Sequence, residues 1–313
     1  MIANSEPFMI KRILVILLCL CFAYPISASE LPDKDPKPIK KRNYFFNPLG
    51  SFFVPGLDQF ITKQPLTGAA FLSLGVSGLG LYALGVSENS RSGGPTKNDN
   101  LDSRDKNLRL AMLGYEMYMT AGGLSMYHSF RDTVETRPDD FPFLKARDSD
   151  WDLVLSPVKM DYLTRPTTFI PLLIQAGLVG LLVKEGGYHW QGLTLADGAF
   201  ATAFSFGAGT WEECAFRGWM MPVFRKWVQN DFWSNAMTAT VFAAAHYSNH
   251  NQLPIFQLLS GWYLGYVTQR NDWSVSESIF IHSWIDVIAF TAAFAFGKEK
   301  EAKIQLTPIM ITF

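Results

Sequence analysis

The chain has 313 residues, a formal net charge of −1 and 48% hydrophobic residues. This near-neutral balance with positive mean hydropathy excludes the basic profile of a nucleic-acid-binding protein and the charged, apolar-poor profile of a disordered chain. The apolar residues are unevenly spread, with polar stretches at 87–106 and 131–166 between apolar blocks, which is the pattern of a multi-pass membrane protein whose first partner is the lipid bilayer.

At the start, Lys11 and Arg12 precede an apolar core from Ile13 to Phe22, followed by Ser27, Ala28 and Ser29. The core is short for a span and ends on small residues, so 1–28 reads as a signal peptide, with an uncleaved anchor as the competing reading. Cys19 and Cys21 would leave with it; Cys214 would then stand alone, and no intrachain disulfide is expected. Residues 29–65 form a polar arm rich in Lys, Asp and Pro, then an interfacial segment in which Pro55-Gly56 marks a short or re-entrant piece between Leu49 and Ile61.

Residues 66–164 read as an N-terminal membrane region with two spans, Leu66 to Val86 and Leu108 to Tyr127, and a long polar loop from Arg131 to Pro166. The glycines of the first span permit close helix contact. Glu116 in the second reads as a structural partner for Arg109 or a tyrosine, or as a cavity-facing group. Trp151 to Leu155 is an amphipathic piece of the loop.

Five further spans are expected within 165–297: Phe169 to Val183, Leu195 to Phe224, Asn235 to Tyr247 capped by Ser234, Leu253 to Thr268, and Ser276 to Phe296. The second of these is long for one bilayer thickness. Lys298, Lys300 and Lys303 make 298–313 a basic tail, which the positive-inside tendency places in the cytoplasm. The expected fold is all-α, a polytopic transmembrane helix bundle of about seven spans after a signal peptide.

The run from Leu195 to Phe224 carries Glu212, Glu213 and Arg217 in an otherwise apolar setting of Ala, Phe, Gly, Met and Trp. A charge at the centre of a membrane helix costs on the order of 3 kcal/mol or more, so it pairs, faces water or does chemistry. Glu213 and Arg217 are one helical turn apart and suit an ion pair, whereas Glu212 is turned away by about 100° and left to point elsewhere. Later helices supply His246, one turn after Phe242, and His282, one turn before Asp286. A Glu and two His converging in a dry cavity can activate water, the Glu taking its proton while a His holds the water or stabilises an oxyanion. The same Glu212, His246 and His282 equally match a zinc set with an open position, and spacing leaves the two open.

Glu212-Glu213-x-x-x-Arg217, Phe242-x-x-x-His246 and His282-x-x-x-Asp286, in this order on successive apolar helices, resemble the motifs of the CPBP intramembrane proteases, also called the CAAX protease and bacteriocin-processing or Abi family. The resemblance covers roughly 165–297, which it marks as a catalytic helical domain, and leaves the first 160 residues unexplained. It implies a membrane-embedded endopeptidase acting on peptide or protein substrates in or near the membrane, in which Glu212 is the catalytic Glu and His246 its partner on water. His282 and the residue four positions on resemble the oxyanion-binding pair; Asp286 replaces the Asn of the prenyl-protein enzymes and favours a carboxylate that orients His282. Glu213 and Arg217 take pairing and positioning roles, Phe242 a packing role. The family has been described both as metal-dependent and as glutamate-dependent, so zinc is the one cofactor in question. With a signal peptide, the implied location is a bacterial inner membrane. The rival readings are an inactive membrane scaffold, in which both acid–base pairs are structural, and a proton- or ion-coupled transporter, which inverted repeats would favour and which none in the sequence supports.

Overall fold

The computed structural model describes residues 42–91, 106–248 and 253–297. The expected signal peptide at 1–28, the arm up to 41 and the tail from 298 lie outside the described residues, as does His250.

Helix is the dominant structure. Two short helices, α1 (Phe46–Phe53) and α2 (Leu57–Ile61), lead into the long pair α3 (Pro65–Arg91) and α4 (Lys106–Glu135). The α1–α2 corner turns at Gly56, whose φ of +89° and lack of space for a Cβ against the Gly68 carbonyl leave room for no other residue. The polar loop folds into α5 (Asp150–Leu155), where Ser149 and Asp152 form a reciprocal capping box. Then come α6 (Pro166–Glu185), α7 (Leu195–Glu213), a π-helical stretch over Cys214–Met220, and α8 (Met221–Val228), which continues it without a break. The chain finishes with α9 (Asp231–Ala245), α10 (Ile255–Arg270) and α11 (Ser276–Ala295). The cap of α9 is Asn230, not Ser234: Asn230 accepts the Trp233 N–H at 3.0 Å, while Ser234 already sits in the first turn and donates to Asp231 O.

Among the described residues, three helices are long and apolar enough to cross a bilayer: Pro65–Glu88, Pro166–Glu185 and Ser276–Ala295. The other expected spans do not reach that measure. The α9 and α10 helices, with 15 and 16 residues, are shorter than the roughly 20 a span needs, and α4 and α7 carry buried charges. The three differ in what surrounds them. Only 22% and 11% of the first two are buried, whereas 67% of α11 is, so α11 runs through the middle of the bundle and the others present their side chains outward.

Each wall around α11 is fastened by a buried polar group. Asp148, from the polar loop, accepts from Ser274 Oγ at 2.6 Å, Val275 N–H at 2.9 Å and Ser276 Oγ at 2.8 Å, which satisfies donors at the start of α11. Glu277, one residue on, accepts from Arg165, Thr167 and Thr168 at the start of α6 and from Asn271. At its far end a two-residue antiparallel pair joins β1 (His189–Trp190) to β2 (Phe296–Gly297). The middle of α11 meets α7 where Gly209 lies against Ser283, a contact that leaves no room for a side chain.

The N-terminal half packs against the same core. Met119, Met126 and Phe130 of α4 share one apolar cluster with Trp211, Phe216, Trp219 and Phe242. Gly123 sits so close to the Trp211 backbone that an added Cβ would lie 2.7 Å from its Cα, and the Tyr127 ring covers Gly218. The region 66–164 and the segment 165–297 thus share an apolar cluster.

Candidate active site

Glu212 and Glu213 are the last two residues of α7, and Arg217 lies in the π-helical stretch that follows. A π turn widens the backbone locally and is frequent at functional sites. All three side chains are buried, with Glu213 and Arg217 wholly inaccessible. Arg217 Nη1 donates to Glu213 Oε1 at 2.8 Å, Nη2 donates to the Gly261 carbonyl on α10 at 2.9 Å, and the guanidinium lies 4.4 Å from the Phe242 ring centroid. Such a pair offsets the several kcal/mol of desolvation that each charge would cost alone.

Glu213 does more than neutralise Arg217. The same Oε1 lies 2.7 Å from His282 Nδ1 on α11. This contact fixes the ring and turns Nε2 towards Glu212 Oε2, at 3.8 Å, and Asp286 Oδ2, at 3.6 Å. The orienting carboxylate of His282 is thus Glu213; Asp286, to which the resemblance gave that role, faces the opposite ring nitrogen. Asp286 stays within one turn of His282, as the spacing requires, but the hydrogen bond goes to Glu213, which no spacing rule connects.

His246 closes the last turn of α9, where its Nδ1 meets the Phe242 carbonyl at 2.6 Å. A carbonyl only accepts, so Nδ1 carries the proton and Nε2 is an acceptor in the neutral ring. That Nε2 lies 3.8 Å from Glu212 Oε2. Phe242 packs between the two imidazoles, 4.5 Å from the His246 ring and 5.9 Å from the His282 ring. Glu212 Oε2 therefore faces both Nε2 atoms, is buried, and has no hydrogen-bond partner of its own. Asp286 Oδ2 is in the same condition.

The structure brings Glu212, Glu213, Arg217, Phe242, His246, His282 and Asp286 into a single constellation. Its spacing is wider than that of ligands on tetrahedral zinc. Ligands about 2.0–2.1 Å from a tetrahedral ion stand about 3.3 Å apart. Glu212 Oε2 is 3.8 Å from each Nε2, and among the described residues no group of three His, Cys, Asp or Glu side chains is placed to hold a metal ion.

One group near the site is not apparent from spacing. Glu116 of α4 accepts from Trp211 Nε1 at 3.0 Å, and Trp211 directly precedes Glu212 and Glu213. The expected partner Arg109 instead binds Asp197 at 2.5 Å, at the start of α7. The only sequence signal for this was a carboxylate in an apolar helix. Cys214 is fully buried in an apolar cluster with Phe71, Leu124 and Ile279, a packing position.

Residues 194–288 match the family model described as type II CAAX prenyl endopeptidase Rce1-like. This agrees with the likeness of the three motifs to the CAAX proteases, and the matched segment runs from the cap of α7 to just past Asp286. No curated protein and no solved structure matches the chain.

Proposed function

We propose that the chain is an intramembrane endopeptidase that hydrolyses peptide bonds of membrane-proximal substrates with a water activated by Glu212. The segment that matches the CAAX prenyl endopeptidase model points to a peptidase of that type. The observation that carries the catalytic assignment is the buried Glu212 Oε2, unpartnered and 3.8 Å from Nε2 of both His246 and His282.

The chemistry follows from which atoms can donate. His246 Nε2 accepts, because Nδ1 is committed to Phe242 O, so it and Glu212 together orient a water through that water's two hydrogens. Glu212 takes one proton as the water oxygen attacks the scissile carbonyl, and the carbonyl π electrons move to oxygen. His282, protonated and held at Nδ1 by Glu213, directs its Nε2–H at the developing oxyanion. Collapse of the tetrahedral species breaks the C–N bond, and the proton held by Glu212 passes to the leaving amine. Arg217 and Asp286 balance the charges that this cycle moves. No step calls for a metal. Expected substrates are peptides presented at a bacterial cytoplasmic membrane.

The reading is tested with purified protein in proteoliposomes and a library of membrane-anchored peptides, prenylated and unprenylated, followed by mass spectrometry. Wild type should release fragments at defined bonds, while Glu212→Gln, folded to the same melting temperature, should be slower by about 10³-fold or more. Equal cleavage by both proteins would sink the assignment of Glu212.

A further inference from the structure

We infer that Glu116 is a positioning residue of this active site, supplied by the N-terminal half of the chain and acting through Trp211 on the aim of Glu212; this rests on the peptidase reading above. Three observations carry it. Glu116 is buried, and its Oε2 accepts the Trp211 indole N–H at 3.0 Å. Trp211 is itself buried and immediately precedes Glu212, in the last turn of α7 before the backbone widens into the π-helical stretch. Finally, α4 and α7 approach closely here: Gly207 lies one turn before Trp211 with the Glu116 and Thr120 side chains against it, and Gly123 lies against the Trp211 backbone.

A carboxylate in an apolar helix is costly unless it does something there. Stability alone is a poor reason for this one, because an apolar pair of similar volume packs as well without a buried polar group to satisfy. Its location is specific: it packs against Gly207 of α7 and holds the indole of the residue that directly precedes Glu212. The change from α to π winding after Glu213 redirects the side chains that follow, so the turn leading into it is where an external anchor can fix the aim of Glu212. The Glu116–Trp211 hydrogen bond is that anchor. Residue 116 lies outside the matched segment 194–288, so the site borrows a part from the otherwise unassigned half.

The test uses the full chain in nanodiscs with the variants Glu116→Gln, Glu116→Ala, Trp211→Phe and the double Glu116→Ala/Trp211→Phe. Gln keeps an acceptor for the indole, so Glu116→Gln should hold kcat within about twofold. Glu116→Ala and Trp211→Phe should each lower kcat by about tenfold at unchanged KM, and the double variant should fall no further than either single. Two signals read the geometry without any turnover. The Trp211 indole N–H resonance, assigned by its loss in Trp211→Phe, and the ring resonances of His246 and His282, which face Glu212, should move in Glu116→Ala and stay near wild type in Glu116→Gln. The inference is overturned if Glu116→Gln loses as much as Glu116→Ala, if the two losses multiply in the double variant, or if the histidine resonances ignore Glu116→Ala. A wild type that cleaves no peptide would instead remove the peptidase reading, and the resonances would still decide whether Glu116 sets the geometry around Glu212.

Discussion

Glu213 and His282, on helices 69 residues apart in the chain, share a 2.7 Å contact through the same carboxylate oxygen that accepts from Arg217. One buried oxygen thus ties the charge balance of the site to the orientation of its imidazole. The two duties predict different losses. Glu213→Ala leaves Arg217 buried without a counter-charge and should destabilise the fold by about 3–5 kcal/mol, read as a drop in melting temperature in detergent. Glu213→Gln keeps one oxygen with two lone pairs for these donors but removes the negative charge, and should fold with a smaller stability loss while lowering kcat by roughly 10²-fold. A Glu213→Gln enzyme with wild-type kcat would show that His282 needs no carboxylate behind it.

Glu212 and His246 act on one water in the proposed cycle, so their losses should not add. Each single variant, Glu212→Gln and His246→Ala, should bring kcat near the floor, and the double variant should lie within about threefold of the weaker single. Independent, multiplying losses would mean that the two groups serve separate steps. Steady-state cleavage of one peptide by the four proteins decides it.

The donor geometry predicts that chelation leaves the enzyme active. The 3.8 Å separations around Glu212 Oε2 are wider than a tetrahedral zinc would impose. Purified protein dialysed against a strong chelator should keep its turnover and hold well below one equivalent of zinc by elemental analysis. Loss of activity on chelation with stoichiometric recovery on adding zinc would favour metal chemistry.

Much of this site was legible in the sequence because membrane helices make polar residues conspicuous. Glu212, Glu213, Arg217, His246, His282 and Asp286 each stood out against apolar neighbours, and the helical period paired Glu213 with Arg217 correctly. Spacing failed where the contact runs between helices. Glu213 to His282 and Glu116 to Trp211 are set by helix packing, which a local period does not encode. The same limit applies to the spans. Apolar blocks located α6 and α11 within a few residues, but apolarity alone does not tell the enclosed α11 from the outward-facing α6, and blocks around α9 and α10 were counted as spans although those helices have 15 and 16 residues. The π-helical stretch has no composition signature at all.

Asp148 shows how the polar loop reaches the site without touching it. Its carboxylate accepts from Ser274, Val275 and Ser276 at the start of α11, seven residues before His282. Asp148→Ala would orphan these donors and should cost about 2–3 kcal/mol of stability, with Asp148→Asn losing less because one oxygen remains. Turnover per folded molecule should fall for Asp148→Ala, since the register of α11 carries His282. Thermal unfolding and active-site-normalised kinetics on the same preparations separate the two effects, and an unchanged melting temperature would mean the α11 start is satisfied by other groups.

The loop also carries an acid-sensitive element outside the spanning helices. The Lys159 ammonium at 2.7 Å, followed by the Ser149 hydroxyl, holds the Asp152 carboxyl below its usual range. A lowered folded pKa means that the charged form carries the stabilisation; it is present above the unfolded value of 3.8 and is lost as pH falls through the folded value. Asp152 is half exposed, with 49% of its side chain accessible, so the whole fold should hardly notice. The effect should be local: amides of Asp150–Leu155, whose capping box needs that carboxylate, should lose protection as pH falls through the folded value, after correction for intrinsic exchange, while those of α11 keep theirs. Asp152→Ala should produce the same local loss at neutral pH and abolish any further change on acidification. If the variant still loses protection on acidification, another group, not Asp152, governs the response.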